Sequence, residues 1–294
     1  MAGSPDRFLQ GAVLLAAFGL VFASPLLAQN SSSRSAPVSK PVGSILPLGD
    51  YGIDEVGYLS IPATPPTVGI VLVPDSYGLD DFTKAEANRL ASLGYIVVAL
   101  DIYNGHITTD PADRANLAAN LDTVTVMKTL NAGVRFLHES PTFHVDHVVA
   151  MGWGTGASFV FEAARDNKAL DGAITFYGPT ITDPADIKKF VVPLCSVFPD
   201  NDPVITHEDV VTFQHLMKDA GNDFEAWFIA AGRGWSNPQS KNYNPAEDRE
   251  AWRVAVPFLA RIGAEPVKPK DASIIDKAAT SLDKAKDKIE SIFK

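Results

Sequence analysis

Short apolar runs alternate with helical stretches along most of the chain, and this alternation most constrains the fold. The runs are rich in β-branched residues and lie at 69–73, 95–100, 147–151, 172–176, 191–198 and 224–229. Stretches typical of helices lie near 82–93, 122–137, 157–166, 208–220 and 247–262. Strand–helix alternation predicts an α/β fold whose mostly parallel, doubly wound sheet carries helices on both faces. A further run at 51–61 predicts an antiparallel edge strand.

Composition limits the number of domains and the class of ligand. The chain has 294 residues, of which 46% are hydrophobic and 20% charged. That is enough for one globular domain of about 200–250 residues with extensions. The net charge of −10, with no basic cluster, predicts that the protein does not bind nucleic acid.

The amino terminus has the order of an export signal. Arg7 precedes an apolar run from Phe8 to Phe22, and the small residue Ala28 follows. This order predicts a signal peptide over 1–28 and export to the periplasm or the medium, and the Ser- and Pro-rich residues 29–48 predict a flexible linker. The alternative is an uncleaved membrane anchor, although glycines interrupt the run and it falls short of about 20 residues.

The carboxyl terminus differs from the predicted domain at 49–263. Residues 264–294 begin with a Pro-containing linker and continue as a predicted amphipathic helix, whose apolar positions are Ile275, Ala278, Leu282, Ala285, Ile289 and Ile292. Three roles are open for this helix: docking on the domain, self-association, or binding of a partner helix.

The segment from Gly152 to Gly156 is typical of a nucleophile elbow. An elbow reads Gly-x-nucleophile-x-Gly between a strand and a helix, because small residues let a strained turn expose the reactive side chain. In this chain Gly154 occupies the nucleophile position.

Four segments together resemble the dienelactone hydrolase family over about residues 50–262. They are Val73–Gly78 with Gly94–Tyr103, the elbow, Asp171–Pro179, and Pro199–Val204. The resemblance implies an α/β-hydrolase fold, hydrolysis of esters or lactones without a cofactor, and a triad of Cys or Ser, then Asp, then His.

The triad that the resemblance implies is incomplete. Asp202 stands at the acid position, but Gly154 replaces the nucleophile and Arg233 replaces the histidine. A guanidinium with a pKa above about 12 cannot accept a proton near neutral pH. We expect Asp202 and Arg233 to form a two-point hydrogen-bonded pair instead.

Other residues are weaker candidates for the missing groups. His106, in the loop after 95–100, is the best candidate for a displaced base. Ser158 and the Thr155 side chain are expected to cap or pack, and Cys195 is expected to be a buried strand thiol. The six histidines lack the tight spacing of a metal site, and those at 138, 144 and 147 fall at the opposite end of the sheet.

The resemblance also implies a cleft around Gly154. Asp75 takes the position of a family Glu, and the backbone N–H groups of Ser76 and Thr155 match the oxyanion donors. These donors can form an anion-binding nest without a nucleophile. Four aromatic residues are expected around the cleft, either as ligand contacts or as ordinary packing: Tyr77, Trp153, Tyr177 and Trp235.

Two functions follow from these residues. The first is an exported, catalytically degenerate relative that keeps its cleft to bind a small, anionic ligand or to act as a scaffold. The second is a working hydrolase of esters or lactones with a non-standard nucleophile or base, which could be water activated by Asp75, Asp202 or His106. The loss of both chemical positions favours the first.

Overall fold

The computed structural model describes residues 43–51, 56–140, 142–143 and 145–264. The predicted signal peptide, most of the predicted linker and the predicted tail helix lie outside these residues. Within the described ranges, none of the helices has the length and apolar character to cross a bilayer.

In the described part of the chain, eight strands form one sheet, in the order β1-β2-β4-β3-β5-β6-β7-β8. Strand β2 runs antiparallel to both β1 and β4, and the remaining neighbours are parallel. The predicted mostly parallel sheet is therefore confirmed. The strands are β1 (Ser44–Pro47), β2 (Val56–Ser60), β3 (Val68–Val73), β4 (Ile96–Leu100), β5 (His147–Trp153), β6 (Gly172–Phe176), β7 (Leu194–Asn201) and β8 (Phe224–Gly232).

Helices cover both faces of the sheet, as predicted. They are α1 (Asp81–Ser92), α2 (Pro111–Ala119), α3 (Thr123–Glu139), α4 (Thr155–Asp166), α5 (Pro184–Ile187), α6 (His207–Asp219) and α7 (Pro245–Ala264). Successive side chains of a strand point to opposite faces. Val71 of β3 accordingly joins the core under α3, α4 and α6, whereas Ile70 joins the core under α1 and α7.

The prediction that the run at 51–61 forms the edge of the sheet is wrong. Strand β1 lies within the predicted linker 29–48 and pairs with β2, with Ser44 opposite Leu59. The run at 51–61 therefore supplies the second strand and not the edge. Because β1 has only four residues and contains Pro47, it gave no period-two signal in the sequence.

Two short helices were also missing from the sequence-based prediction. Helices α2 and α5 each begin with a proline that follows an Asp N-cap, and the side chains of Asp110 and Asp183 accept hydrogen bonds from the first-turn amides. An Asp N-cap followed by proline is a start signal that needs no apolar periodicity.

The register of the central strands places the predicted site residues along one edge. Strand β3 pairs with β5 so that Val73 lies opposite Gly152. The loops after these two strands are therefore adjacent, and they carry Asp75 and Gly154. The loops after β7 and β8 bring Asp202 and Arg233 to the same end of the sheet.

Candidate functional site

The backbone at Gly154 has the sharp turn of a nucleophile elbow. Gly154 lies between the end of β5 and the start of α4, with φ 51° and ψ −113°. This positive φ is strained for a residue with a side chain. A Cβ atom at Gly156 would lie 2.3 Å from the Val73 carbonyl oxygen, so the helix packs too closely on β3 to accept a larger residue there. The strand-turn-helix frame is intact, and only its reactive side chain is missing.

The Asp75 carboxylate fills the space that a nucleophile would occupy. A Cβ atom built on Gly154 would lie 2.5 Å from Oδ1, 2.6 Å from Cγ and 2.7 Å from Oδ2 of Asp75. Such distances are far below van der Waals contact. A side chain at position 154 and the present position of Asp75 therefore exclude each other.

The same carboxylate also occupies the predicted oxyanion nest. Asp75 Oδ1 accepts hydrogen bonds from the backbone N–H groups of Ser76, at 2.7 Å, and Thr155, at 3.1 Å. These are the two donors expected to bind a substrate oxygen. The nest forms as expected, but it binds an oxygen of the protein itself.

Arg114 covers this carboxylate from helix α2. Its guanidinium lies 3.4 Å from the centre of the Tyr77 ring, and its Nε donates a 3.2 Å hydrogen bond to Ser76 Oγ. Its Nη2 is 3.7 Å from Asp75 Oδ2, an ion pair but too long for a hydrogen bond. Arg114 was not predicted from the sequence, because it lies on α2, a helix without a buried face.

Two buried tyrosines stand close to the Asp75 charge. The pKa of Tyr103 is raised, first by burial and then by Asp75. The pKa of Tyr177 is raised for the same two reasons. The Tyr103 hydroxyl lies near Thr155, and it has no hydrogen bond of good geometry among the described residues. Both phenols therefore remain protonated donors at physiological pH.

Asp202 and Arg233 are paired at the acid and base positions of the triad. Arg233 Nη1 donates a 2.9 Å hydrogen bond to Asp202 Oδ2. The contact was predicted, but its two-point geometry was wrong, since Asp202 Oδ1 accepts instead from the backbone N–H groups of Val204 and Ile205. The Asp202 side chain is 1% exposed and that of Arg233 32%, so the carboxylate is buried and the guanidinium reaches solvent.

The other candidates for a base or nucleophile are not held at Gly154. His106 is exposed, and its imidazole makes no described hydrogen bond or ion pair. Ser158 Oγ lies 3.5 Å from the Gly154 carbonyl oxygen, consistent with the expected local backbone contact. Cys195 is fully buried in β7, as predicted, and burial raises the pKa of its thiol.

The predicted cleft aromatics are core residues. Tyr77 is 5% exposed, and Trp153, Tyr177 and Trp235 are each 1% exposed or less. Trp153 stacks on Phe176 at 5.1 Å, and Trp235 meets Tyr177 edge to face at 5.0 Å. The sequence left open whether these residues pack in the core or contact a ligand. The ring contacts of the two tryptophans are those of packed core residues.

A buried histidine and a cavity lie away from Gly154. His147, at the opposite end of β5, is buried, with Nδ1 3.6 Å from Asp171, while His144 falls outside the described residues. Across the described ranges, no group of three or more His, Cys, Asp or Glu could hold a metal ion. A cavity of about 260 Å³ lies beside the first turns of α3, next to Ile102 and Asn104.

Among the described residues, the eight-stranded, mostly parallel sheet with its strand-turn-helix elbow and the acid and base positions beside it has the α/β-hydrolase fold. The dienelactone hydrolase family profile matches residues 56–263. The chain belongs to the dienelactone hydrolase family.

Related proteins support this assignment. A Bradyrhizobium protein named as a probable 2-oxo-3-(5-oxofuran-2-ylidene)propanoate lactonase is 25% identical, with 72% of this chain and 91% of that protein aligned. A dienelactone hydrolase-like promiscuous phosphotriesterase from metagenomic libraries has a TM-score of 0.66 at 19% identity, covering 75% of this chain and 98% of the other. Esterase 2 of Thermogutta terrifontis, phosphorylated by paraoxon, has a TM-score of 0.58 at 16% identity, covering 78% and 97%. At these identities the solved structures show a shared fold.

Proposed function

We propose that this protein is a dienelactone hydrolase-like protein that has lost ester and lactone hydrolysis and retains its cleft for binding. The observation that carries the proposal is the position of Asp75, whose carboxylate lies where a nucleophile at residue 154 would stand. The family chemistry needs that space for a Ser or Cys side chain. It also needs the nest that Asp75 Oδ1 occupies.

The base position supports the same proposal. Arg233 cannot accept a proton, and its guanidinium is bound to Asp202. A water molecule that attacked an ester would therefore lack a base at the place where the family supplies one. With Gly154 and Arg233 both substituted, a single compensating change elsewhere does not restore the two-step reaction.

A working hydrolase is the alternative, and the names of the relatives favour it. Asp75 is the residue through which it could operate, because a carboxylate can act as general base toward water. This route would have to release Asp75 from two backbone hydrogen bonds and then supply a nest for the substrate oxygen. In the observed arrangement Asp75 Oδ1 occupies the nest, so neither requirement is met.

An esterase assay separates the two functions. We expect purified protein to release no product from p-nitrophenyl acetate or dienelactone above the rate of the same protein after heat denaturation. Turnover above that rate that is lost in Asp75→Asn or His106→Ala would establish the alternative. Rebuilding the family groups with Gly154→Cys, Asp75→Glu and Arg233→His together provides the matched positive control.

The retained binding role has its own measurement. A small ligand entering the cleft would meet the Arg114 guanidinium, and an anionic ligand would have to replace Asp75 in the nest. We expect muconate, a small dicarboxylate, to raise the melting temperature of the wild-type protein and not that of Arg114→Gln. An equal shift in both proteins would place binding elsewhere.

We further propose that the protein is exported and that the signal over residues 1–28 is removed. The short apolar run and the small residue Ala28 support this proposal. Mass spectrometry of the protein from its native host should find an amino terminus near Gln29. Recovery of intact residues 1–294 in the membrane fraction would contradict it.

A further inference from the structure

The two carboxylate oxygens of Asp75 have different surroundings. Oδ1 accepts both nest hydrogen bonds, from Ser76 and Thr155. Oδ2 has no hydrogen bond among the described residues, and its nearest charged neighbour is Arg114 Nη2 at 3.7 Å. One oxygen is therefore fixed by the backbone while the lone pairs of the other remain available.

We propose that Asp75 is a nucleophilic carboxylate that accepts an alkyl group from a neutral alkyl halide. The inference concerns the same site as the proposed loss of ester hydrolysis, but it assigns to that site a different reaction. The Asp75 carboxylate lies above Gly154, in the space where a nucleophile would be. It extends from the loop after β3 and not from the elbow.

The occupied nest selects saturated carbon over acyl carbon. An ester substrate needs the nest for the oxyanion that forms on its own carbonyl oxygen. Displacement at an alkyl carbon forms no oxyanion on the substrate, so the filled nest does not impede it. The two backbone donors instead hold the attacking carboxylate in a fixed orientation, which lowers the entropic cost of the encounter.

The step balances without a cofactor or a proton transfer. A lone pair of Asp75 Oδ2 forms a C–O bond as the carbon–halogen bond breaks, and the halide leaves with the bonding electron pair. Asp75 becomes an alkyl ester whose carbonyl oxygen, Oδ1, keeps its hydrogen bonds to Ser76 and Thr155. Arg114 loses its anionic partner in this step, and its guanidinium becomes available to the departing halide.

The surroundings of Asp75 favour a neutral reagent. The Asp75 side chain is only 14% exposed, and the buried tyrosines Tyr103 and Tyr177 are close enough to interact with its charge. Removing water from a carboxylate makes it more reactive toward carbon. A charged reagent would lose its hydration among these aromatic side chains, whereas an uncharged alkyl chain can pack against them.

The ester is expected to persist after it forms. Its hydrolysis would need a base that activates water, and the family base position holds Arg233, bound to Asp202. The protein would therefore react once and stop. A single adduct per chain is the expected product.

Reaction of the full-length protein with 1-bromobutane tests the proposal. We expect the intact mass to increase by one butyl group, with one bromide released per chain, and peptide sequencing by mass spectrometry to place the group on Asp75. Labelling of Asp75 should be at least about tenfold faster than that of exposed carboxylates such as Glu208, and this preference should disappear in urea. Hydroxylamine, which cleaves esters, should remove the group.

The variant Asp75→Asn supplies the matched control, because the amide has nearly the same shape and lacks the nucleophilic charge. It should remain unlabelled at residue 75 while its melting temperature reports that it is folded. If that variant does not fold, the site of labelling in the wild-type protein decides the question alone. An unchanged wild-type mass, or labelling of Asp75 no faster than that of Glu208, would overturn the proposal.

The esterase assay gives an independent result. Alkylated Asp75 in a protein that also hydrolyses esters would end the proposed loss of hydrolysis and leave this inference standing. An unlabelled protein without esterase activity would overturn this inference and leave the proposed loss of hydrolysis standing.

Discussion

Asp75 and Gly154 exclude one another's side chains: a Cβ atom at Gly154 would lie 2.5 Å from Asp75 Oδ1. The missing nucleophile and the carboxylate in the nest are therefore two aspects of one arrangement. Restoring a side chain at residue 154 without moving Asp75 would not restore the family site. The family Glu at this position is one methylene longer than Asp, which changes where its carboxylate can reach.

Gly154→Ala should be destabilising because of this contact. The added methyl group meets the carboxylate, and φ of 51° is strained for alanine, so we expect the free energy of unfolding to fall by about 1–3 kcal/mol. In an Asp75→Ala background the steric part of that loss should disappear. Urea denaturation of the two single variants and the double variant measures the coupling, and strictly additive losses would contradict it.

The stabilities of variants at Asp202 and Arg233 should also be coupled, although each single variant loses different contacts. Removing Arg233 leaves a carboxylate whose side chain is 1% exposed, while removing Asp202 leaves a guanidinium that is 32% exposed and can be hydrated. Asp202→Ala also removes the acceptor for the amides of Val204 and Ile205.

Each single alanine variant should therefore lose stability, Arg233→Ala because the buried carboxylate loses its cation and Asp202→Ala because two backbone amides lose their acceptor. We expect the double variant to be more stable than the sum predicts by about 1–2 kcal/mol, below the value for a fully buried pair because solvent screens Arg233. A double-mutant cycle by urea denaturation measures this coupling energy. Additivity would show that the 2.9 Å contact contributes nothing measurable.

The sequence predicted where the site residues lie but not how they are arranged. Parallel strands end at a common edge, so the loop positions of Asp75, Gly154 and Asp202 follow from the strand pattern alone. The occupation of the nest by Asp75 depends on space left by Gly154 in the turn after the neighbouring strand β5. A pattern along one strand carries no information about that contact.

Arg114 was missed for a different physical reason. All nine residues of α2 are described and none is buried, so the helix has no apolar stripe to indicate it. Its only sequence signals were Asp110 as N-cap and Pro111 at the first turn. Because α2 has no fully buried residue, specific contacts help to hold it, and Arg114 supplies three of them, to Tyr77, Ser76 and Asp75.

Arg114→Gln should therefore loosen α2 without unfolding the domain. We expect amide hydrogen exchange across residues 104–120 to accelerate by about tenfold or more, because local opening no longer breaks these contacts. Exchange in α3, which has eight buried residues, should be unchanged. Arg253→Gln is the matched control, since that arginine is 75% exposed on α7. Equal exchange in wild type and Arg114→Gln would show that other contacts hold the helix.

The interface between α1 and α7 should make stability depend on pH. Glu86 of α1 is 8% exposed, and Arg89 Nη1 lies 3.5 Å from Glu86 Oε2 and 3.3 Å from Asp248 Oδ2 of α7. Two carboxylates thus share one guanidinium, which also lies 4.3 Å from the centre of the Trp252 ring. Burial raises the pKa of Glu86 from 4.5 to about 7, and burial also raises the pKa of Asp248.

Because the folded pKa of Glu86 is above the unfolded value, the folded state keeps a proton that the unfolded state releases between pH 4.5 and about 7. This group therefore lowers the free energy of unfolding as the pH rises through that window, by at most about 3 kcal/mol. In Glu86→Gln the residue no longer titrates, so urea denaturation at pH 5 and pH 8 should show a smaller loss than in wild type. The remaining loss includes the contribution of Asp248.

Glu208→Gln, at an exposed position on α6, should behave as wild type. A Glu86→Gln protein that loses as much stability as wild type between these pH values would show that Glu86 is ionised in the folded protein already at pH 5.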